Sequence, residues 1–354
     1  MPAVSCSQMA ADRSELRDAG GRCLRRPVVY LDQSLLSDGF DDKRGSGPNA
    51  AADAGLAAVV EDVARRGTLC LSFVHIVELA NRPRLDEALA VAGWLDGLEH
   101  MWFRASDAAE AELAAEVARK LGLDDAPPPR LPIFPSKTAA LLDNMDGVGP
   151  EGSVAWLGSP TIAGTVRAVH GRLERAKYAE QSIELFEKFH VDRSTLPPEA
   201  TPEQVEHKAL LKLGWQLQIQ ARKAMDDRPL IIGERRPTHA EITDAVLALL
   251  LEPDTLPINK VVPHVFANVG DRITMQRLRS GGFNERYQSF AMDTRHAFAA
   301  AVVDVFSCDG FMDDVMSDFR TSRGMERQIS LRGRSRAAFV AELRRQCAES
   351  RGST

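Results

Sequence analysis

The stretch that decides the fold is Met292-Asp-Thr-Arg-His-Ala-Phe-Ala-Ala-Ala-Val-Val-Asp-Val-Phe-Ser-Cys-Asp-Gly-Phe-Met312. Its first half repeats apolar residues about every 3.6 positions, which predicts a buried amphipathic helix with Asp293 in the first turn. Its second half alternates β-branched and aromatic residues, which predicts a short strand that ends at Cys308-Asp309-Gly310. A helix followed by a strand that ends on an acid is one half of a carboxylate site in an α/β sheet.

Two earlier apolar runs supply the other half of this site. The run Pro27-Val-Val-Tyr-Leu ends on Asp32, so Asp32 is expected at the carboxyl edge of a strand, where open α/β sheets bind their ligands. The run Thr68-Leu-Cys-Leu-Ser leads into a helix that carries Glu78 on its second turn. Clustered carboxylates repel one another, and a divalent cation relieves that repulsion most simply.

The order of these residues resembles the PIN-like nuclease domain. The resemblance lies in an Asp at the end of the first strand, a Ser followed six residues later by a Glu, and Asp-x-x-His-Ala with a later Val-Phe-x-x-Asp. Members of that family use an acidic quartet that binds Mg²⁺ or Mn²⁺ to hydrolyse RNA phosphodiesters. The resemblance implies that the catalytic and metal-binding acids here are Asp32, Glu78, Asp293 and Asp309.

The same resemblance extends to further residues of the site. Asp304 matches an acid found in some branches of the family, and is a fifth candidate metal ligand. The family usually has Thr or Ser one residue before the last acid, whereas this chain has Cys308, and a thiol is a poorer partner for a hard cation. The candidate substrate-binding residues are Ser72, His296, Arg295 and Arg320.

The predicted fold class is α/β, a PIN-like parallel sheet flanked by helices, with a mostly α-helical insertion. Strands and helices alternate from residue 27 onward, with a third strand near residues 100–103, which favours right-handed parallel crossovers. Residues 39–49 lack periodicity and are expected to form a loop. The expected divisions are a flexible tail at 1–26, the two halves of the sheet domain at 27–105 and 285–320, the insertion at 106–284, and an arginine-rich tail or helix at 321–354.

Composition places the chain among ordinary globular proteins. Of its 354 residues, 44% are hydrophobic and 27% are charged, with a formal net charge of −6. Five scattered cysteines form no C-x-x-C pair, which argues against a disulfide framework or a zinc ribbon and favours a reducing cytoplasm. No apolar run is long enough to predict a membrane span, and the first 26 residues lack the apolar core of a signal peptide.

Basic residues are concentrated near the end of the chain. Nine arginines against three acids lie between residues 320 and 351. That excess suits contact with nucleic-acid phosphates, and a solubilising tail with one helix at 335–349 is the alternative. Lys43 and Arg44 in the expected loop are two further candidates for a phosphate contact.

These patterns predict a metal-dependent endonuclease that uses Mg²⁺ or Mn²⁺ and acts on nucleic acid, with RNA as the expected substrate. One alternative is a catalytically weak PIN-like module that binds a protein or a nucleic acid. Another is a DNA nuclease or a phosphatase that uses the same acids. The helical insertion is a candidate surface for a protein partner or for homo-oligomerisation.

Overall fold

The computed structural model describes residues 27–46, 55–66, 68–103, 120–122, 133–134, 159–171, 197–199, 204, 237–251, 292, 296, 298–301, 303–307 and 336–349. Five strands lie within these residues: β1 (Val29–Tyr30), β2 (Leu69–Ser72), β3 (Met101–Phe103), β4 (Ile133–Phe134) and β5 (Val305–Phe306). The helices are α1 (Gln33–Arg44), α2 (Leu56–Arg65), α3 (Phe73–Ala80), α4 (Leu85–Asp96), α5 (Ile162–Val169), α6 (His239–Leu251) and α7 (Arg336–Glu349). A short 3₁₀ helix at Phe298–Ala301 precedes β5.

The strands form one sheet in the order β4-β3-β2-β1-β5. The strands β3, β2, β1 and β5 run parallel, and β4 pairs antiparallel with β3. The α/β class with a parallel sheet and flanking helices is therefore confirmed. Because β5 pairs with β1, with Val29 opposite Val305, residues from the start and the late part of the chain share one sheet.

Both faces of the sheet are buried, as parallel strands require. Side chains alternate between the faces, so Val29 and Val305 join the large apolar cluster on one side. On the other side, the rings of Tyr30 and Phe306 stack with centroids 5.9 Å apart, and Phe103 meets Tyr30 edge-on at 6.3 Å. This second face also carries His75 and His296, whose ring centroids lie 5.0 and 5.6 Å from that of Tyr30.

Helix α1 corrects the expectation of a loop at residues 39–49 over its described part, residues 39–44. The helix continues to Arg44, and Gly45 ends it in the left-handed conformation, with φ of 61°. Gly39 faces α4, and a Cβ there would lie 3.2 Å from the ring of Trp94. The close approach explains why a glycine that reads as a loop residue lies inside a helix. Lys43 binds Glu61 at 2.6 Å.

The predicted insertion at 106–284 contributes to the sheet domain. It supplies the edge strand β4, which its proline-rich surroundings do not predict. Helix α5 packs against α3 and α4, and the Asp96 carboxylate at the end of α4 accepts bonds from the amides of Ile162 and Ala163 at 2.5 and 2.9 Å. Thr238 and Glu241 cap the N-terminus of helix α6, where the Thr238 amide donates to Glu241 at 2.8 Å.

Helix α7 confirms the helix expected at 335–349, and it is part of the core. Phe339, Val340 and Leu343 are buried in the same apolar cluster as the first strands. The helix packs on α2, where Arg344 donates to the carbonyl of Gly55 at 3.3 Å. Helix α7 is therefore packed against the domain and does not form a free tail. Its polar face is exposed.

None of the described helices combines the length and the apolar character that crossing a membrane requires.

Candidate functional site

The site begins where β1 ends. Because β2 and β5 lie on opposite sides of β1, the order of the parallel strands reverses between β1 and β5. Open α/β sheets bind ligands outside the carboxyl ends of their strands at such a reversal. Asp32 lies two residues after β1 at the carboxyl ends of the strands, as its sequence position predicts.

Asp32 is held by its own helix. It is the N-cap of α1, and its Oδ1 accepts hydrogen bonds of 2.9 Å from the amide of Leu35 and from the hydroxyl of Ser34. Both bonds fall on Oδ1, and Oδ2 accepts none from the described residues. Burial raises the pKa of Asp32, and the nearby Glu78 carboxylate adds to that rise. Asp32 is therefore a buried carboxylate with one oxygen that no described neighbour binds.

Glu78 lies on the second turn of α3, directly after the neighbouring strand β2. Its Oε2 lies 3.0 Å from Nε2 of His296, and the Glu78 side chain keeps 18% of its surface exposed. His296 also contributes to the electrostatic environment of Asp32, where it opposes the rise in pKa. The structure thus brings Asp32, Glu78 and His296 into one electrostatic cluster, and two of these are predicted catalytic acids.

A buried series of hydrogen bonds connects His296 to the strands β1 and β2. Its Nδ1 lies 2.6 Å from the hydroxyl of Tyr30, and that hydroxyl lies 2.7 Å from Oγ of Ser72. Burial raises the pKa of Tyr30 well above its usual value, so the phenol keeps its proton. The hydrogen bonds therefore run from Ser72 to Tyr30, then to His296 and finally to Glu78.

His75 joins the carboxyl ends of β1 and β2. Its Nδ1 accepts from the amide of Ser72 at 2.9 Å, and its Nε2 lies 2.8 Å from the carbonyl oxygen of Leu31. A backbone amide only donates and a carbonyl only accepts, so the neutral ring carries its proton on Nε2. Burial lowers the pKa of His75 to about 3. This clamp fixes the backbone immediately before Asp32.

Two predicted substrate-binding residues are not placed for that role. His296 is 2% exposed, and both of its ring nitrogens face protein partners. Ser72 is also buried, with its hydroxyl on Tyr30. In this arrangement both side chains are buried and bonded to protein partners, and neither is exposed to solvent.

Asp304 lies at the amino ends of the parallel strands, whereas Asp32 lies at their carboxyl ends. It precedes β5, and its Oδ2 accepts from the amide of Val28 at 2.7 Å. Four residue-to-residue steps of extended chain separate Val28 from Asp32, a span of about 13 Å. One cation binds oxygens at about 2.0 to 2.6 Å and cannot bridge that separation. We therefore do not retain Asp304 as a metal ligand; its carboxylate ties β5 to β1.

The remaining predicted residues lie outside the described part of the chain. These are Asp293, Arg295, Cys308, Asp309 and Arg320. Within the described residues, no group of three or more His, Cys, Asp or Glu side chains is close enough to hold a metal ion. The described part of the site therefore offers two of the four predicted acids.

Several residues that contact the predicted acids or their strands escape the sequence patterns. Tyr30 and His75 lie within apolar runs, so nothing in their spacing separates them from core residues. Among the described residues, Oε1 of Gln33 and Oγ of Ser307 are buried polar atoms without a hydrogen-bond partner. Gln33 is the next residue in the chain after Asp32, and Ser307 follows β5 beside Leu31, its amide bound to Tyr30 O at 3.0 Å. Buried polar groups without partners are uncommon and call for a ligand or water.

No family model, no curated protein and no solved structure matches this chain.

Proposed function

We propose that this protein is a PIN-like, divalent-cation-dependent nuclease that hydrolyses phosphodiester bonds, with RNA as its substrate. The observation that carries the proposal is the placement of Asp32 and Glu78. They follow two adjacent parallel strands, share one electrostatic environment, and lie beside the point where the strand order reverses. Acids in that position suit a cation and a phosphate better than a purely structural role.

The groups around Asp32 fit a hard cation. The donors are carboxylate, hydroxyl and amide oxygens, which suit Mg²⁺ or Mn²⁺ more than zinc or copper. Oδ2 of Asp32 accepts no hydrogen bond from the described residues, and Gln33, the next residue in the chain, carries a buried side-chain oxygen without a partner among them. A cation would offset the burial that disfavours the Asp32 carboxylate. Asp293 and Asp309 are proposed to complete the ligand set.

The residues of the chain perform separate tasks in this proposal. The α1 cap holds Asp32 by Oδ1, so Oδ2 is presented in a fixed direction. His296 holds one oxygen of Glu78, which restricts the rotation of that carboxylate. A bound divalent cation supplies charge neutralisation at the scissile phosphate and lowers the pKa of water. Prior orientation of the ligands lowers the barrier because less reorganisation is required during reaction.

The proposal is tested with a panel of labelled substrates. Purified full-length protein is incubated with Mn²⁺ and single-stranded RNA, double-stranded RNA, single-stranded DNA or a phosphate monoester. We expect cleavage of single-stranded RNA, abolished by chelator and reduced at least about a hundredfold in Asp32→Asn, since metal ions supply several kcal/mol of transition-state stabilisation. Asp304→Asn is the matched control, because it makes the same change at the opposite edge of the sheet.

The other outcomes separate the competing functions. Cleavage of DNA alone, or of the monoester alone, with the same sensitivity to Asp32→Asn identifies a DNA nuclease or a phosphatase. Binding of RNA without cleavage by the wild type identifies a PIN-like binding module. Equal activity in the wild type and Asp32→Asn contradicts the proposed site.

A further inference from the structure

The hydrogen bonds that link Ser72, Tyr30, His296 and Glu78 are buried and join residues that are far apart in the sequence. They join β1, β2, α3 and the segment before β5, with contacts of 2.6 Å from Tyr30 to His296 and 3.0 Å from His296 to Glu78. Tyr30 is fully buried and His296 is nearly so. Burying such polar groups is costly unless each is satisfied, and a satisfied network rigidifies its members.

The hydrogen-bond partners determine the roles of the two ring nitrogens. An ionised Glu78 only accepts, so His296 must present an N–H at Nε2. A neutral imidazole then has a lone pair at Nδ1, and the Tyr30 hydroxyl is placed to donate to it. The Tyr30 oxygen in turn can accept from Ser72. The phenol therefore selects the tautomer that turns a donor toward Glu78.

We infer that Tyr30 and His296 are positioning residues, which fix the Glu78 carboxylate for binding of a divalent cation. The inference rests on the proposed function, because it concerns the same acidic site. Neither residue touches the cation or the substrate. Their effect is indirect: Tyr30 orients the imidazole, and the imidazole holds one oxygen of Glu78. Comparable supporting contacts in metal sites change metal affinity or activity by about 10- to 100-fold when they are removed.

Substitutions at Tyr30 and His296, with one control, separate this effect from packing. Tyr30→Phe removes the hydroxyl and keeps the ring that stacks on Phe306. Thr68→Val is the matched control, because it also removes a buried hydroxyl, one that donates to the Val63 carbonyl at the amino end of β2. At position 296, Gln keeps an N–H donor near the place of Nε2, whereas Leu removes it.

Titration calorimetry of the full-length protein with Mn²⁺ measures the effect. We expect Tyr30→Phe and His296→Leu to weaken Mn²⁺ binding at least about tenfold, with His296→Gln within about threefold of the wild type and Thr68→Val unchanged. Long-range ¹H–¹⁵N NMR should show the Nε2–H tautomer of His296 in the wild type and a mixture in Tyr30→Phe.

The outcomes distinguish this inference from the proposed function. If the wild type binds Mn²⁺ and Asp32→Asn does not, while Tyr30→Phe binds like Thr68→Val, the site stands and the positioning role is overturned. An unchanged tautomer in Tyr30→Phe overturns the role of the phenol in the same way. A wild type that binds no Mn²⁺ overturns both the inference and the proposed function.

Discussion

Nε2 of His296 lies 3.0 Å from Oε2 of Glu78, although 218 residues separate them in the chain. The contact is possible because β5 pairs with β1 and brings the segment before it across the end of the sheet. The early and the late part of the chain therefore meet at the carboxyl ends of the parallel strands.

Removing the charge of Asp32 should not destabilise the protein when no metal is present. Asp32→Asn keeps an oxygen that can cap α1 and removes a carboxylate whose ionisation is disfavoured by burial. We expect an unchanged or raised free energy of unfolding at pH 7 in chelator, measured by denaturant titration.

Asp32→Ala separates the cap from the charge. It loses the hydrogen bond to the Leu35 amide and should cost about 0.5 to 2 kcal/mol relative to Asp32→Asn. Equal losses of stability in the two variants would mean that Asp32 acts as a structural acid, whose charge the fold requires.

Stability should fall in acid because His75 is buried in its neutral form. Its pKa of about 3 in the folded chain lies below the value of about 6.5 expected when unfolded. The unfolded chain therefore binds the extra proton between these values, and stability present above pH 6.5 is lost as the pH falls toward 3. The difference corresponds to on the order of 5 kcal/mol for this group.

His75→Gln measures that contribution. A glutamine retains a donor for the Leu31 carbonyl and does not titrate. The measurement covers pH 6 to 4, which lies within the window from about 6.5 to 3. Over this range the unfolding free energy of the wild type should fall with decreasing pH more steeply than that of His75→Gln, by up to about 1.4 kcal/mol per pH unit. Glu78, Asp32 and His296 face the same region and remain in both proteins. Identical pH slopes would show that His75 can be protonated in the folded chain.

Helix α7 should be required for the stability of the sheet domain. Phe339 is fully buried against the main core, so Phe339→Ala should lower the free energy of unfolding by about 3 to 5 kcal/mol. The exposed Arg345→Ala on the same helix should change it by less than about 1 kcal/mol, since Arg345 pairs with Glu342 at the surface. Thermal or denaturant unfolding measures the stability of both variants. If Phe339→Ala costs no more than Arg345→Ala, α7 lies outside the cooperative core.

Asp304 should affect the fold and leave metal binding intact. Its carboxylate accepts from the buried amide of Val28, so Asp304→Ala leaves that donor unsatisfied at a cost of about 1 to 3 kcal/mol. Mn²⁺ affinity, measured by calorimetry at a temperature where the variant is folded, should match the wild type. A loss of affinity comparable to that of Asp32→Asn would restore Asp304 to the ligand set.

Sequence patterns predict the parts of the fold that depend on local chemistry. The strand that ends before Asp32, the strand that ends at Ser72 and the helix carrying Glu78 all follow from apolar runs and capping residues. The cap of α6 follows from Thr238 and Glu241 for the same reason. In each case the neighbours in sequence are also the partners in structure.

The rest depends on contacts between distant residues, which local patterns do not encode. Gly39 reads as a loop residue because its packing partner, Trp94, is far away in sequence. Tyr30 reads as an apolar strand residue, and its hydrogen bond to His296 becomes visible only after the sheet is assembled. The carboxylate of Asp304 reads as part of the acidic pattern, whereas the parallel register places it at the other edge.

The most direct measurement is the change in melting temperature that Mn²⁺ produces in the full-length protein. A ligand stabilises a protein in proportion to RT ln(1 + [L]/Kd), about 2.7 kcal/mol at a hundredfold excess over Kd. We predict that Mn²⁺ raises the melting temperature of the wild type and of Asp304→Asn, and that Asp32→Asn and Glu78→Gln lose the rise. A full Mn²⁺ shift in both Asp32→Asn and Glu78→Gln, or no shift in the wild type, would contradict a cation site at these two acids.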